Sequence, residues 1–366
     1  MAQNKVRLED VARTAGVSLS SVWRVMNRTG RVSPEIAEAV RKAAEKLQVN
    51  LRQRTGTKLI AFLLGNRHLL HPFHSRILAG VESYCTQRDY HTVYLSLQYS
   101  QHAGWEEISV PKILRELNLV DGFILAGVHA QNLLDLLVHN TLPFVVQGNS
   151  FVGVWRDQQC DSVWYDDVGG GYRMTSHLQS QGHRDIWFVG NRRFPWFDHF
   201  YEGYSRAMTE RGLMPHSFGL DLEQPSEVGY LAVKSILSQG GPVSAIVAGS
   251  DATAQGVYAA LRECGLRVPE NISVTGFDDI EADALHPRLT TSHVFLEQIG
   301  KQMAEFLLSR IEQPNLPPRK SVIPTKLVKS ESTAPILSLQ SETKNCPSTL
   351  ESGICLTGEL EVMGEK

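Results

Sequence analysis

Cysteine is scarce in this chain and forms no pattern. Cys85, Cys160, Cys264, Cys346 and Cys355 are scattered over 366 positions with no C-x-x-C pair, which excludes a disulfide framework and a zinc ribbon. No apolar run approaches the roughly eighteen residues that a membrane helix requires. The N-terminal stretch turns charged at Lys5, Arg7, Glu9 and Asp10 before anything apolar, so it does not read as a signal peptide. These absences point to a protein working in a reducing cytoplasm. Catalytic signatures are missing too. No G-x-S-x-G elbow is present. Gly169-Gly170-Gly171 after Asp166-Asp167 lacks both the Lys-Ser/Thr ending of a phosphate loop and the spacing of a dinucleotide turn, and reads as a helix start. His68, His71 and His74 recur every three residues, but Pro72 interrupts the helix that would align them and no thiol or carboxylate joins the spacing. They suit the mouth of a cleft better than a metal site. Neither an enzyme nor a cofactor or metal is expected.

What is present is an uneven distribution of charge. The formal net charge is only −3, yet residues 1–58 hold twelve Lys and Arg against five Asp and Glu, while the rest holds 24 against 34. A small basic head on a larger acidic body suggests that the head meets a nucleic acid. At 42% hydrophobic and 20% charged residues, the chain has the composition of a folded protein of two or three domains.

Within the head, Leu8, Val11, Ala12 and Ala15 fall at i, i+3, i+4 and i+7, the apolar stripe of a short helix. Gly16 supplies the sharp turn, Ser18 an N-cap, and Val22, Val25 and Met26 a second stripe. Ser33-Pro34 opens a third helix with Ile36, Val40, Ala43 and Leu47 facing inward. This is a helix-turn-helix, whose second helix lies in the major groove with its N-terminal residues at the base edges. Leu19, Ser20 and Arg24 are therefore the candidates for base readout: Arg pairs bidentately with guanine, and Leu suits a thymine methyl. Ser18, Ser21, Asn27 and Ser33 are short polar groups suited to phosphate oxygens.

From Lys58 the pattern alternates. Leu59–Leu64, His91–Leu97, Gly122–Ala126 and Pro143–Val146 read as buried strands, the first three each followed by a helical stretch, and Ile186–Val189, Ala245–Ala248 and Ile272–Thr275 form a second set. Two such sets predict two α/β lobes of parallel sheet wrapped by helices, with a small-molecule site in the cleft between them.

The run Val6-Arg7-Leu8-Glu9-Asp10-Val11-Ala12-Arg13-Thr14-Ala15-Gly16-Val17-Ser18, then Val22-Trp23-Arg24-Val25-Met26-Asn27 and Arg31-Val32-Ser33, resembles the DNA-binding head of the lactose-repressor (LacI/GalR) family of bacterial transcription regulators. Gln181–Ile186, Glu202-Gly203-Tyr204, Gly265–Asp279, Pro287–Thr291 and Glu297–Gly300 are similar to its core. The resemblance implies a helix-turn-helix head over 1–50, a hinge over 51–57 and a two-lobed, periplasmic-binding-protein-like core over 58–330. Crossings between lobes are expected near Asp161, Thr291 and Ser321. It further implies a homodimer on palindromic double-stranded DNA, nucleoid-associated when bound, whose affinity is set by a carbohydrate effector. The expected activity is repression. The alternative is a cytoplasmic solute-binding sensor with a vestigial head.

The family pattern is broken in places. Arg7 replaces a capping Ser or Thr, and Trp23 replaces a small residue beside the phosphates. The hinge is shorter than usual, leaving Leu51 as the candidate minor-groove wedge and Arg52 and Arg54 as backbone contacts. For the effector, Asp278 matches a position that accepts ligand hydroxyls, and Asp251 lies in the pair Ser250-Asp251 that opens a helix beside the pocket. Phe200 stands where the family usually has a ligand-gripping Arg, and Trp196 is a candidate platform for a sugar face. Residues 331–366, rich in Ser, Thr and Glu without apolar periodicity, are expected to be a disordered tail.

Overall fold

Three short helices open the chain: α1 (Leu8–Ala15), α2 (Leu19–Asn27) and α3 (Pro34–Lys46). The computed structural model describes residues 8–27, 32–47, 57–67, 71–109, 119–140, 142–156 and 159–336. Val11, Ala12, Val22, Val40, Ala43 and Ala44 bury one another in a small core, with Ala15, Val17, Val25, Ile36 and Leu47 packed around it. These are the predicted stripes; the Leu8 and Met26 side chains lie outside the described residues. Gly16 turns between α1 and α2 at φ +65°, a conformation costly for any residue with a Cβ.

The first lobe is a six-stranded, wholly parallel sheet in the order β13-β7-β5-β3-β1-β2. Its strands are β1 (Leu59–Gly65), β2 (His91–Leu97), β3 (Gly122–Gly127), β5 (Phe144–Gln147), β7 (Asp161–Tyr165) and β13 (Lys320–Ile323), with a two-residue pair, β4 (His129–Ala130) and β6 (Phe151–Val152), beside it. Helices α4 (Pro72–Thr86) and α5 (Gln131–His139) belong to this lobe. The second lobe is the parallel sheet β11-β10-β8-β9, formed by β8 (Ile186–Val189), β9 (His216–Phe218), β10 (Ala245–Ala248) and β11 (Ser273–Thr275). It carries α6 (Asp167–Ser180), α7 (Pro195–Thr209), α8 (Pro225–Ser238) and α9 (Asp251–Glu263). The central strands β1, β3 and β10 are buried almost throughout, as parallel strands covered on both faces must be.

All seven predicted strands are present, but the six-stranded sheet of the first lobe has two more. Asp161 and Ser321, expected as crossing points, lie inside β7 and β13; the chain crosses just after each strand, at Asp166 and at Pro324-Thr325. A strand that begins on a buried carboxylate does not read as one. It is possible here because Arg310 and Arg319 both reach Asp161, at 2.9 and 3.1 Å. β9 was also missed, being three residues long at a sheet edge. The remaining crossing, second along the chain, is where it was expected, at β12 (Thr291–His293), which pairs antiparallel with β14 (Lys326–Val328) and leads to α10 (Leu296–Glu312) on the first lobe. The expected tail is corrected at its start. Ser332 is fully buried, accepting from the Thr290 N–H and donating to the Val274 carbonyl, and the Ile336 N–H bonds to Gln181. Residues 331–336 thus belong to the second lobe, and 337–366 lie outside the described residues.

Asp161 gives a direct test of what anchors β7 and β13. Burial alone would raise its pKa, but hydrogen bonds from Arg319 and Arg310 outweigh burial and hold it below the ordinary carboxylate value. Removing it leaves two guanidinium groups without their anion. Asp161→Ala should therefore cost about 3 kcal/mol by urea unfolding at pH 7, the low end for a broken buried pair because both arginines keep some water. A depressed folded pKa stabilises above the unfolded value of about 3.9 and is lost as pH falls through the folded value. The gap between wild type and variant should therefore close only on acidification below that point.

Candidate functional site

The head presents chemistry on one side of α2. The chain reverses at Gly16, where the Val17 N–H bonds back to Ala12 at 3.1 Å, and Ser18 then caps the helix by accepting the Ser21 N–H at 3.1 Å. The Ser18 hydroxyl stands 2.8 Å from that of Ser20 and 2.9 Å from that of Ser21 around that cap. Leu19, the first helical residue, is 46% exposed although large and apolar, and Arg24 is exposed one turn further on. An apolar side chain, short hydroxyls and a guanidinium along one exposed helix are the groups that read base edges and hold phosphates. Ser33 is engaged as the N-cap of α3, accepting from the Ile36 N–H at 3.4 Å. The side chains of Trp23 and Asn27, and all of Leu51, Arg52 and Arg54, lie outside the described residues.

The second site is a cavity of about 380 Å³ between the lobes. It sits where strand ends of both sheets meet helix starts, as α/β folds dictate. The first lobe supplies Asn66 and Arg67 after β1, and His71, Phe73 and His74 at the start of α4. The second supplies Phe194, Trp196 and Phe197 at the start of α7, Gln224, Pro225 and Val228 at the start of α8, and Ser250 and Thr253 at the start of α9. Phe277 and Asp278 follow β11. α7 is held close to α6 by reciprocal glycines: a Cβ on Gly203 would collide with the Val168 carbonyl, and one on Gly171 with that of Phe200.

Asp278 is strained and buried. Its φ is +103°, fixed by its N–H bonding to Ser292 at 2.9 Å, and such conformations persist only where surrounding structure enforces them. Burial and the neighbouring Asp251 carboxyl push its pKa well above the ordinary range, while burial pushes Asp251 up to about 6. A carboxyl shifted upward in this way is biased toward its protonated form, which can both donate to and accept from a hydroxyl.

On the opposite lobe, the Arg67 guanidinium lies 4.6 Å from the Phe194 ring centre and 4.6 Å from that of Trp196. Those rings stack on each other at 4.8 Å and 13°. His71 caps α4, accepting the Phe73 N–H at Nδ1. Its pKa is lowered by burial and by Arg67, and that of His74 falls to about 3 for the same reasons with His71 added. Both rings are neutral, and Pro72, at the first position of α4, starts the helix rather than interrupting it. Among the described residues no cluster suits a metal ion.

Of the four predicted effector residues, Trp196 and Asp278 line the cavity; Asp251 and Phe200 do not. Asp251 is spent on the fold: it accepts from Thr291 Oγ1 at 2.6 Å and from the N–H groups of Ile280 and Glu281 at 2.9 and 3.2 Å. Phe200 is buried behind the wall, 4.6 Å from Phe277. Sequence reasoning missed Arg67. It follows a strand directly and precedes the histidines, a position at the rim of a sheet that could have marked it.

Against known proteins, residues 7–48 match the model for bacterial regulatory proteins of the lacI family, and residues 175–333 match a periplasmic binding protein-like domain. The chain is 31% identical over 335 residues to the HTH-type transcriptional repressor PurR of Glaesserella parasuis, covering 87% of this chain and 94% of that one. It is 31% identical to the ribose operon repressor of Haemophilus influenzae, covering 89% and 98%. Among solved structures, a complex of the transcriptional regulator CelR with cellobiose superposes with a TM-score of 0.66 at 28% identity, covering 90% of this chain and all of that one. With a matching head, a matching core and relatives aligned over nearly their whole length, the chain belongs to the lacI family of bacterial regulatory proteins.

Proposed function

We propose that this protein is a cytoplasmic repressor that binds a palindromic operator as a homodimer, and that a carbohydrate held between its lobes sets its DNA affinity. The observation that carries the reading is the pairing of an exposed reading helix with an enclosed interlobe cavity in one chain. Leu19, Ser20 and Arg24 read bases; Ser18, Ser21, Trp23, Asn27 and Ser33, with Arg52 and Arg54 of the hinge, position the head on phosphates. Leu51 is the wedge at the operator centre. One such head covers too few base pairs for genomic specificity, so two act together.

In the cleft, an aromatic pair and the Asp278 carboxyl match the two faces of a sugar, one apolar and one hydroxylated. Relatives named for ribose and complexed with cellobiose support that class. A ligand that contacts both lobes favours one lobe arrangement over another, and its differential affinity sets the change in DNA binding. Nothing in this scheme asks for catalysis.

Two measurements test it. Operators selected from genomic fragments by the full-length protein should yield inverted repeats, and fluorescence anisotropy on such a duplex should change with at least one sugar of a broad panel. DNA affinity unmoved by every ligand that binds the core would remove the switch. Arg24→Ala should weaken cognate binding by about 1–3 kcal/mol and relax preference at one base pair. Equal losses on cognate and random DNA would make Arg24 a phosphate contact instead.

A further inference from the structure

The Arg67 guanidinium is a cation of the cavity that forms no ion pair among the described residues. It lies against the stacked rings of Phe194 and Trp196 and carries five N–H donors in its own plane. Among the described residues, none gives those donors a hydrogen-bond or ion-pair partner. Glu223, on the cavity wall, is the acid whose charge reaches it, yet the two form no ion pair. A partly buried cation without an ion pair keeps donors that an anion can take.

The surroundings of Arg67 are equally suited to negative charge. Four helices of thirteen to fifteen residues, α4, α7, α8 and α9, begin at this cavity. Their N-termini carry partial positive charge, and α7 and α8 have no side chain capping them, since Phe194 and Gln224 hold the N-cap positions without bonding to the helix. His74, only 8% exposed, lines the cavity with its Nδ1 unpartnered. An orphaned ring nitrogen, an unpaired guanidinium fork and uncapped helix starts in one enclosed space are the complement of an anion.

We propose that the effector carries an anionic group, a phosphate or a carboxylate, on a hydroxylated body, with Arg67 taking the anion and Asp278 taking hydroxyls. This rests on the reading of the cleft as the effector site and narrows it from carbohydrates to acidic ones. Arg67 holds the anion through its N–H groups while it stays packed against the two aromatic rings. Because the guanidinium comes from the first lobe and the rings from the second, binding the anion also fixes the lobes against each other.

The test is calorimetric titration of the full-length protein with matched pairs: aldose and ketose phosphates, aldonic acids and uronic acids, each beside its neutral parent, with inorganic phosphate alone as a further arm. At least one acidic sugar should bind about tenfold or more tightly than its parent, the scale of a charge-assisted hydrogen bond. Arg67→Met should erase that ratio, and Arg67→Lys should retain part of it. Glu223→Gln should enlarge it by removing a like charge. Thermal melts of each variant, run alongside, confirm that a lost ratio comes from folded protein. A ratio that survives Arg67→Met overturns the inference. So does Glu223→Gln weakening anion binding, which would make Glu223 a partner for Arg67 rather than a competitor. Neutral sugars binding as well as acidic ones would overturn it while leaving the carbohydrate reading intact. No binding by any member of the panel would overturn both. Phosphate binding unchanged in Arg67→Met would be an adventitious ion only.

Discussion

One chain passing three times between two sheets is the constraint on which this molecule depends. The lobes cannot part, yet each passage is short enough to bend. Polar groups hold the passages in place. The Asp166 N–H bonds to Ile323 where the first and third run side by side, and Arg173 ties Asp166 at 3.0 Å to Thr325 Oγ1 at 2.7 Å. Asn149 of the first lobe grips both Tyr165 and Asp167, and Asp167 continues to His199 on α7 at 3.0 Å. That hydrogen bond to Asp167 raises the His199 pKa, so the link carries more charge as pH falls. The second passage pairs with the strand after the third, β12 against β14. A ligand between the lobes therefore acts on a joint that is already built.

The same burial that seals the cleft decides its protonation. Burial raises the pKa of both Asp251 and Asp278, with the Asp251 carboxyl adding to the shift at Asp278, while burial and the nearby Arg67 lower those of His71 and His74. Deeper in the first lobe, His129 is completely buried with both ring nitrogens unpartnered among the described residues, its pKa lowered to about 4 by burial. It fills the space that a side chain at Gly65 would need. Charge in the cavity is thus concentrated on Arg67 and Glu223, and neutral donors and acceptors surround them.

The head is governed by a different economy. Among the described residues its core is six small ones, with much of each helix at the surface, and caps at Ser18 and Ser33 satisfy helix ends that packing cannot reach. That leaves the α2 surface free to carry Leu19 in the open, a position no fold-building role requires.

Local pattern fixed much of this in advance. The head's three helices, their caps and its turn were readable from apolar periodicity and from Gly16, Ser18 and Ser33-Pro34, because a small domain has few alternatives. Seven strands were readable because parallel strands buried on both faces leave uninterrupted apolar runs. Asp278 was readable through a matching motif, and Trp196 as an aromatic close to one. Tertiary structure alone decided the rest. β7 and β13 exist as strands because Arg310 and Arg319, distant in sequence, neutralise Asp161. Asp251 and Phe200 were assigned to the ligand by their neighbours in sequence, but hydrogen bonds from Thr291 and packing on Phe277 commit them to the fold. Arg67 became part of the site only when β1 of one lobe was brought against the start of α7 in the other. Spacing along a chain reports which faces are apolar; which charges end up without a partner depends on contacts between segments more than a hundred residues apart.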